Sequence, residues 1–242
     1  MSALPEPHPH LVRHASQKAM MHALVGEVTR SIETAISEHG RALMAVSGGS
    51  TPKPLYEALS QVGLDWSKVV IVLVDERWVE PSAPGSNEGM IQRALLRNEA
   101  AAASFIGLKS PGKTPFEGLA EARRRLDRVS LPIDVTILGM GSDGHTASWF
   151  PRADGLTEAL ASAGEKVCAL KARQTDVTGT WCQRISLTRT ALAPSRKLLL
   201  LMAGEAKLQT WGQACGPGPV ENMPVRALLR DPAVALAAHW AP

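Results

Sequence analysis

The chain has 242 residues, 45% of them hydrophobic, and a formal net charge of +3. That length suits one α/β domain covering residues 1–242, and the apolar content supports a sizeable core. The only dense basic run, Arg123-Arg124-Arg125, lies among Leu119, Ala122 and Leu126 at helical spacing; it reads as a solvated helix face, so a nucleic-acid partner has little support.

From about Ala15 to His39 the apolar residues Met20, Leu24, Val28, Ile32 and Ile36 fall on one helical face, with Gly40 as a stop. Ala42 to Val46 follows as a short apolar strand and runs into Ser47-Gly48-Gly49-Ser50-Thr51-Pro52. Leu55, Tyr56 and Leu59 then resume helical spacing, so the unit is strand, glycine turn, helix. The pattern repeats with a strand over Val69 to Val74 that ends at Asp75-Glu76-Arg77-Trp78. After a proline-bearing loop, Ser86 or Asn87 caps a helix carrying Met90, Ile91, Leu95 and Leu96. Pro115 to Val129 reads as another helix, and Val135, Ile137 and Leu138 as a buried strand. Further strands are expected at Val167 to Leu170, Gln183 to Thr188 and Lys197 to Met202. The last of these enters a helix through Ala203-Gly204-Glu205-Ala206-Lys207. Pro224 to Leu229 reads as a helical turn and Val234 onward as a final edge element. Strands alternating with helices predict a three-layer αβα domain around a mainly parallel sheet.

Other classes are narrowed by what the chain lacks. Cys168, Cys182 and Cys215 are odd in number and widely spaced, which argues against a disulfide framework or a zinc site and suits a reducing compartment. No apolar run approaches the roughly 20 residues that span a bilayer. The segment before Leu11 shows no charged-then-apolar leader pattern. A cytoplasmic protein without a membrane partner is expected, either a monomer or a small homo-oligomer.

The chemistry concentrates in Asp134 to Pro151. Gly139, Gly141 and Gly144 follow the strand and present Asp143, His145, Thr146 and Ser148. A histidine at the carboxyl end of a parallel strand is well placed for proton transfer near neutral pH. Gly139-x-Gly141-x-x-Gly144 also matches the dinucleotide fingerprint, but no helix is expected among its glycines. Taken alone, His145 reads first as a structural histidine capping a helix start, and only the residues around it favour a catalytic role.

Four apolar runs end in polar residues: Ser47 to Thr51, Asp75 to Arg77, Asp143 to His145 and Gly204 to Lys207. Four such ends suggest one shared pocket. The Ser47 to Thr51 turn leads a helix and favours an anion such as phosphate, with no Walker lysine for a nucleoside triphosphate. The plain alternative is a tight turn with a hydroxyl cap. Lys207 and Arg184 are candidate phosphate cations, each otherwise a surface charge. Arg77 either faces the pocket or forms an ion pair with Asp75 or Glu76.

Together these segments resemble the 6-phosphogluconolactonase family. The resemblance rests on Ser47 to Pro52, Asp75-Glu76-Arg77 with Ser86-Asn87 and Met90, Gly139 to Pro151, Arg184 before Ile-Ser-Leu-Thr, Gly204 to Lys207, and Pro224-Val-Arg-Ala-Leu-Leu. It spans nearly the whole chain. The related glucosamine-6-phosphate deaminases carry Asn-Glu-Pro after Asp-Gly-His and a tyrosine after Asp-Glu. Here Ala147 to Pro151 and Arg77 stand in those places. Trp149 replaces a common leucine and Ser186 a common threonine.

The resemblance implies the glucosamine-6-phosphate deaminase and ribose-5-phosphate isomerase type of fold. It implies hydrolysis of 6-phospho-D-glucono-1,5-lactone to 6-phosphogluconate, a step of the oxidative pentose phosphate pathway, with no cofactor and no metal. His145, Asp143 and Arg77 would be catalytic. Gly48, Gly49, Ser50, Thr51, Asp75, Arg184 and Lys207 would bind the sugar phosphate. The rivals are an amino-sugar deaminase or aldose–ketose isomerase, a non-catalytic sugar-phosphate sensor, and a dinucleotide-dependent dehydrogenase.

Overall fold

The computed structural model describes residues 9–242. Residues 1–8, on which the expectation of no leader segment partly rests, lie outside the described residues.

Among the described residues the strands are β1 (His10–Arg13), β2 (Ala42–Val46), β3 (Val69–Leu73), β4 (Asp75–Arg77), β5 (Ser104–Ile106), β6 (Val135–Gly139), β7 (Val167–Lys171), β8 (Gln183–Leu187), β9 (Leu198–Ala203) and β10 (Leu236–Ala241). The helices are α1 (Gln17–His39), α2 (Lys53–Leu59), α3 (Asn87–Ala94), α4 (Pro115–Asp127), α5 (Leu156–Leu160), α6 (Arg189–Leu192), α7 (Glu205–Cys215) and α8 (Arg226–Leu229). Seven strands form one sheet in the order β1-β10-β9-β6-β2-β3-β5. Every pairing in it is parallel. The residues of β2 and nearly all of β3, β6 and β9 are buried irrespective of the face they point to. Both faces are therefore covered, as an all-parallel sheet requires.

The longest helix shows how the local signals act. The Ser16 hydroxyl accepts the Ala19 N–H at 3.1 Å, satisfying an otherwise orphaned donor. Met20, Leu24, Val28 and Ile32 line its buried stripe, joined by Ala35, while Ile36 is only partly covered. Gly40 takes a left-handed conformation, φ 74°, and its N–H returns to Ile36 O.

Chain order locates the site. From β2 the sheet grows outward through β3 and β5; the chain then returns to β6, beside β2, and grows the other way through β9 and β10. The loops leaving β2 and β6 thus part in opposite directions, which opens a crevice at the carboxyl ends of the strands.

Two expectations need correction. The element from Val234 onward is not an edge: β10 pairs with β9 on one side and β1 on the other. The four-residue β1 takes the edge, and so short a strand leaves little pattern to read. Asp75 to Arg77 is also more than the polar end of a long strand. The chain bends at Val74, and β4 joins β8 and β7 in a separate antiparallel sheet.

Glu76 fixes that bend to α3. Its carboxylate accepts the N–H groups of Arg77, Asn87 and Glu88 at 2.8, 2.7 and 2.7 Å and the Ser86 hydroxyl at 2.9 Å. Burial pushes this carboxyl up, and those four donors oppose the shift. Glu76→Gln keeps the shape but turns an amide NH₂ toward the donors. We expect a loss of about 2–4 kcal/mol in urea unfolding, the scale of stranding buried donors; an unchanged midpoint would remove Glu76 from this role.

At the other end of the sheet, His239 of β10 is buried. Its Nδ1 lies 3.0 Å from His14 Nε2 and its Nε2 3.7 Å from Glu27, which also holds Lys197 at 2.7 Å. Burial drives the His239 imidazole well below 6.5 against the pull of Glu27, and His14 is lowered for the same reasons. The unfolded chain then binds more protons than the folded one as pH falls below 6.5. Stability should fall over that range and be fully present above it. The urea midpoint of the protein should decline as acid is added, and the decline should flatten in His239→Asn.

Candidate active site

Because β2, β3, β6 and β9 run parallel, their carboxyl ends lie along one edge of the sheet. A cavity of about 610 Å³ opens there. Its walls include Gly48 to Thr51, Asp75, Arg77, His145, Arg184 and Lys207. The structure thus brings together every site residue expected from the sequence except Asp143, which reaches the cavity through His145.

Asp143 Oδ1 lies 2.6 Å from His145 Nδ1 and also accepts the His145 backbone N–H at 3.1 Å. Burial would raise the Asp143 carboxyl; the hydrogen bonds and charge of His145 outweigh it and hold Asp143 below its ordinary 3.8. An ionised carboxylate only accepts. In the neutral imidazole Nδ1 therefore carries the proton, and Nε2 is left with a lone pair. The Phe150 ring packs against the imidazole, centroids 4.1 Å apart. Gly141 permits this arrangement, since a Cβ there would sit 2.0 Å from His145 Nδ1. No helix starts among Gly139, Gly141 and Gly144; the next is α5 at Leu156. This is a polar loop, not a dinucleotide turn.

The residues after His145 face inward through one strained position. Ala147 has φ 51°, a left-handed conformation costing on the order of 1 kcal/mol for a non-glycine residue. On one side the Thr146 hydroxyl bonds Gly139 O at 2.8 Å. On the other the Ser148 hydroxyl donates to Asp75 at 2.5 Å. Trp149 is wholly buried and its indole N–H donates to Leu187 O at 2.9 Å.

The cations differ in how they are held. Arg77 and Arg184 are directly opposite on β4 and β8. No carboxylate of the described residues pairs with Arg77. Glu76 is taken up by backbone donors, and the guanidinium instead donates to Gly85 O at 2.6 Å. The ion-pair alternative for Arg77 is therefore set aside. Arg184 is buried, 4.0 Å from Asp75 and 3.3 Å from the Ser148 hydroxyl, with its Cζ 4.8 Å from the Phe150 ring. Burial lowers this guanidinium to about 10 against the attraction of Asp75, so it stays charged near neutrality. Lys207, in the first turn of α7, is lowered by burial and drawn back up by Asp143. Asp75 is itself fully engaged, because Asn87 donates to both its backbone and side-chain oxygens at 2.8 and 3.3 Å.

Several residues in or behind the cavity wall were not among the expected site residues. Ser47 lines the cavity with a buried hydroxyl that has no hydrogen-bond partner among the described residues. Ser148 and Asn87 tie Asp75 in place. Asp176 and Val177 form part of the wall. Ser148 and Asn87 stood within the motifs, but their partner is distant in sequence; the 176–177 segment carries no local signal. Among the described residues no group of three or more His, Cys, Asp or Glu is placed to hold a metal ion. The three cysteines are free.

A model of the family described as glucosamine-6-phosphate isomerases/6-phosphogluconolactonase matches residues 15–237. The chain is 44% identical over 224 residues to a 6-phosphogluconolactonase of Pseudomonas aeruginosa, covering 90% of this chain and 89% of that one. It is 39% identical over 225 residues to one of Rhizobium meliloti, covering 93% and 95%. Among solved structures, a 6-phosphogluconolactonase from Shewanella baltica is 36% identical, with a TM-score of 0.91 over 96% of this chain and 97% of that one. A 6-phosphogluconolactonase from Thermotoga maritima, 23% identical with a TM-score of 0.75, shares the fold. The chain belongs to the glucosamine-6-phosphate isomerase/6-phosphogluconolactonase family.

Proposed function

We propose that this chain is a single lactonase domain that hydrolyses 6-phospho-D-glucono-1,5-lactone to 6-phospho-D-gluconate. One observation carries the reading: a carboxylate-oriented imidazole opens onto the same cavity as Arg77, Arg184, Lys207 and the Gly48 to Thr51 turn. The lactonase names of the relatives at 39% and 44% identity favour it over deamination.

A lactone is an activated ester, so a water molecule with a general base suffices. His145 Nε2 takes a proton from water as the oxygen attacks C1, and the carbonyl becomes an oxyanion. The tetrahedral intermediate collapses by breaking the bond from C1 to the ring oxygen. His145 returns the proton to that oxygen, leaving a carboxylic acid that ionises in water. Asp143 keeps Nδ1 protonated and the ring in place, and it stabilises the imidazolium that forms transiently. The positive groups divide the remaining charge. Lys207, Arg184 and the N–H and hydroxyl groups of Gly48, Gly49, Ser50 and Thr51 hold the 6-phosphate. Arg77 meets either the oxyanion or the phosphate. Asp75 serves binding by fixing Arg184, Ser148 and Asn87. The buried Ser47 hydroxyl and Arg77 Nε, both without a protein partner among the described residues, support a polar ligand, because unmade buried hydrogen bonds cost about 1–3 kcal/mol each.

The decisive assay follows hydrolysis of lactone generated freshly by glucose-6-phosphate dehydrogenase, corrected for spontaneous opening. Release of ammonia from glucosamine 6-phosphate without lactone hydrolysis would replace this reading by deamination. His145→Ala should lower kcat by about 10²–10⁴-fold with little change in KM, the usual contribution of a positioned base. Near wild-type turnover would remove His145 from the chemistry. Lys207→Ala should raise KM with a smaller effect on kcat; an unchanged KM would count against its phosphate role.

A further inference from the structure

Arg77 and Arg184 face one another across β4 and β8, and like charges directly opposite are destabilising. Arg184 has Asp75 nearby, but among the described residues Arg77 has no carboxylate partner and its buried Nε no hydrogen bond. Something else must hold two guanidiniums side by side at the cavity wall.

The contacts converge on Trp181, in the loop between β7 and β8. Its carbonyl accepts Arg184 Nε at 2.6 Å. Its ring lies beside Arg77, with Cζ 5.7 Å from the centroid. The same ring covers Gly85 so closely that a Cβ there would meet the indole at 2.6 Å. Gly85 is the residue whose carbonyl receives Arg77 Nη1. Trp181 thus lies against both arginines and packs over the residue whose carbonyl orients one of them. Its side chain is nonetheless among the few exposed large apolar ones, at 39% relative exposure. Apolar packing alone gives little reason for a tryptophan there, whereas a π face beside a cation does.

We propose that Trp181 is a positioning residue for the reaction: it aims the Arg77 guanidinium at the anionic substrate through its ring and the Gly85 carbonyl. The inference rests on the functional reading above only in taking Arg77 to meet the substrate's negative charge.

Trp181→Leu keeps an apolar side chain and the backbone carbonyl but loses the π face, whereas Trp181→Phe keeps the face. We expect Trp181→Leu to lower kcat/KM by about five- to tenfold, the scale of a partly desolvated cation–π contact, with an unfolding midpoint matching that of Trp181→Phe. Trp181→Phe should stay within about twofold of wild type. In an Arg77→Ala background the leucine substitution should cost almost nothing further, since the two residues act as one unit. Equal activity of the leucine and phenylalanine variants, or a full additional loss in the Arg77→Ala background, overturns the proposal and leaves the lactonase reading standing. A wild-type protein that hydrolyses no lactone overturns that reading instead. The same variants titrated with inorganic phosphate by calorimetry then decide the inference: weaker binding by Trp181→Leu than by Trp181→Phe supports it, and equal binding ends it.

Discussion

A single buried carboxylate joins the pieces of the site. Asp75 receives the Ser148 hydroxyl from the loop after β6, the Asn87 amide from the start of α3, and the charge of Arg184 from β8. Four segments far apart in the chain meet on two oxygen atoms. Removing a carboxylate from water costs several kcal/mol unless it is paired and hydrogen-bonded. Here the cost is offset only when every partner is in place, so the arrangement tolerates little slack. The same contacts fix Arg184 and the turn through Ser148 at the wall of the cavity that His145 also lines.

The two acidic residues that open β4 divide structural from electrostatic work. Glu76 spends its oxygens on backbone N–H groups at the head of α3, and Asp75 on side chains around the cavity. Neither neutralises Arg77. The result is a wall in which positive charge exceeds negative, with the one strongly oriented carboxylate outside Asp75, Asp143, committed to His145. An anion entering this cavity meets guanidinium and ammonium groups already desolvated, where electrostatic attraction is stronger than in water. Lowered pKa values at Arg184 and Lys207 are the mark of that desolvation.

Much of this was legible in the chain. The β-branched and leucine runs of β2, β3, β6 and β9 report strands buried on both faces, because only a parallel sheet covered on both sides makes such continuous apolar segments stable. The Ser16 cap, the Gly40 stop and the stripe from Met20 to Ile32 report α1 for equally local reasons. Polar residues following four of those runs were enough to predict a shared cleft. The weaker strands behaved differently. β1 has four residues and no strong alternation, so its place at the edge, and the interior place of β10, were not readable.

What the sequence by itself determined was the set of elements and the chemistry available at their ends: an imidazole two residues after a carboxylate, hydroxyls and glycines before a helix, and cations after apolar runs. Hydrophobic period and turn chemistry are properties of neighbouring residues, and they survive in a linear reading. Only the tertiary structure decided how those ends are used. It turned Asp75 to Arg77 into an antiparallel strand opposite Arg184, bonded Asp75 to Ser148, and laid Trp181 over Gly85 beside Arg77. Strand register and side-chain contact between distant segments are set by the packing of the whole core, and no local pattern encodes them.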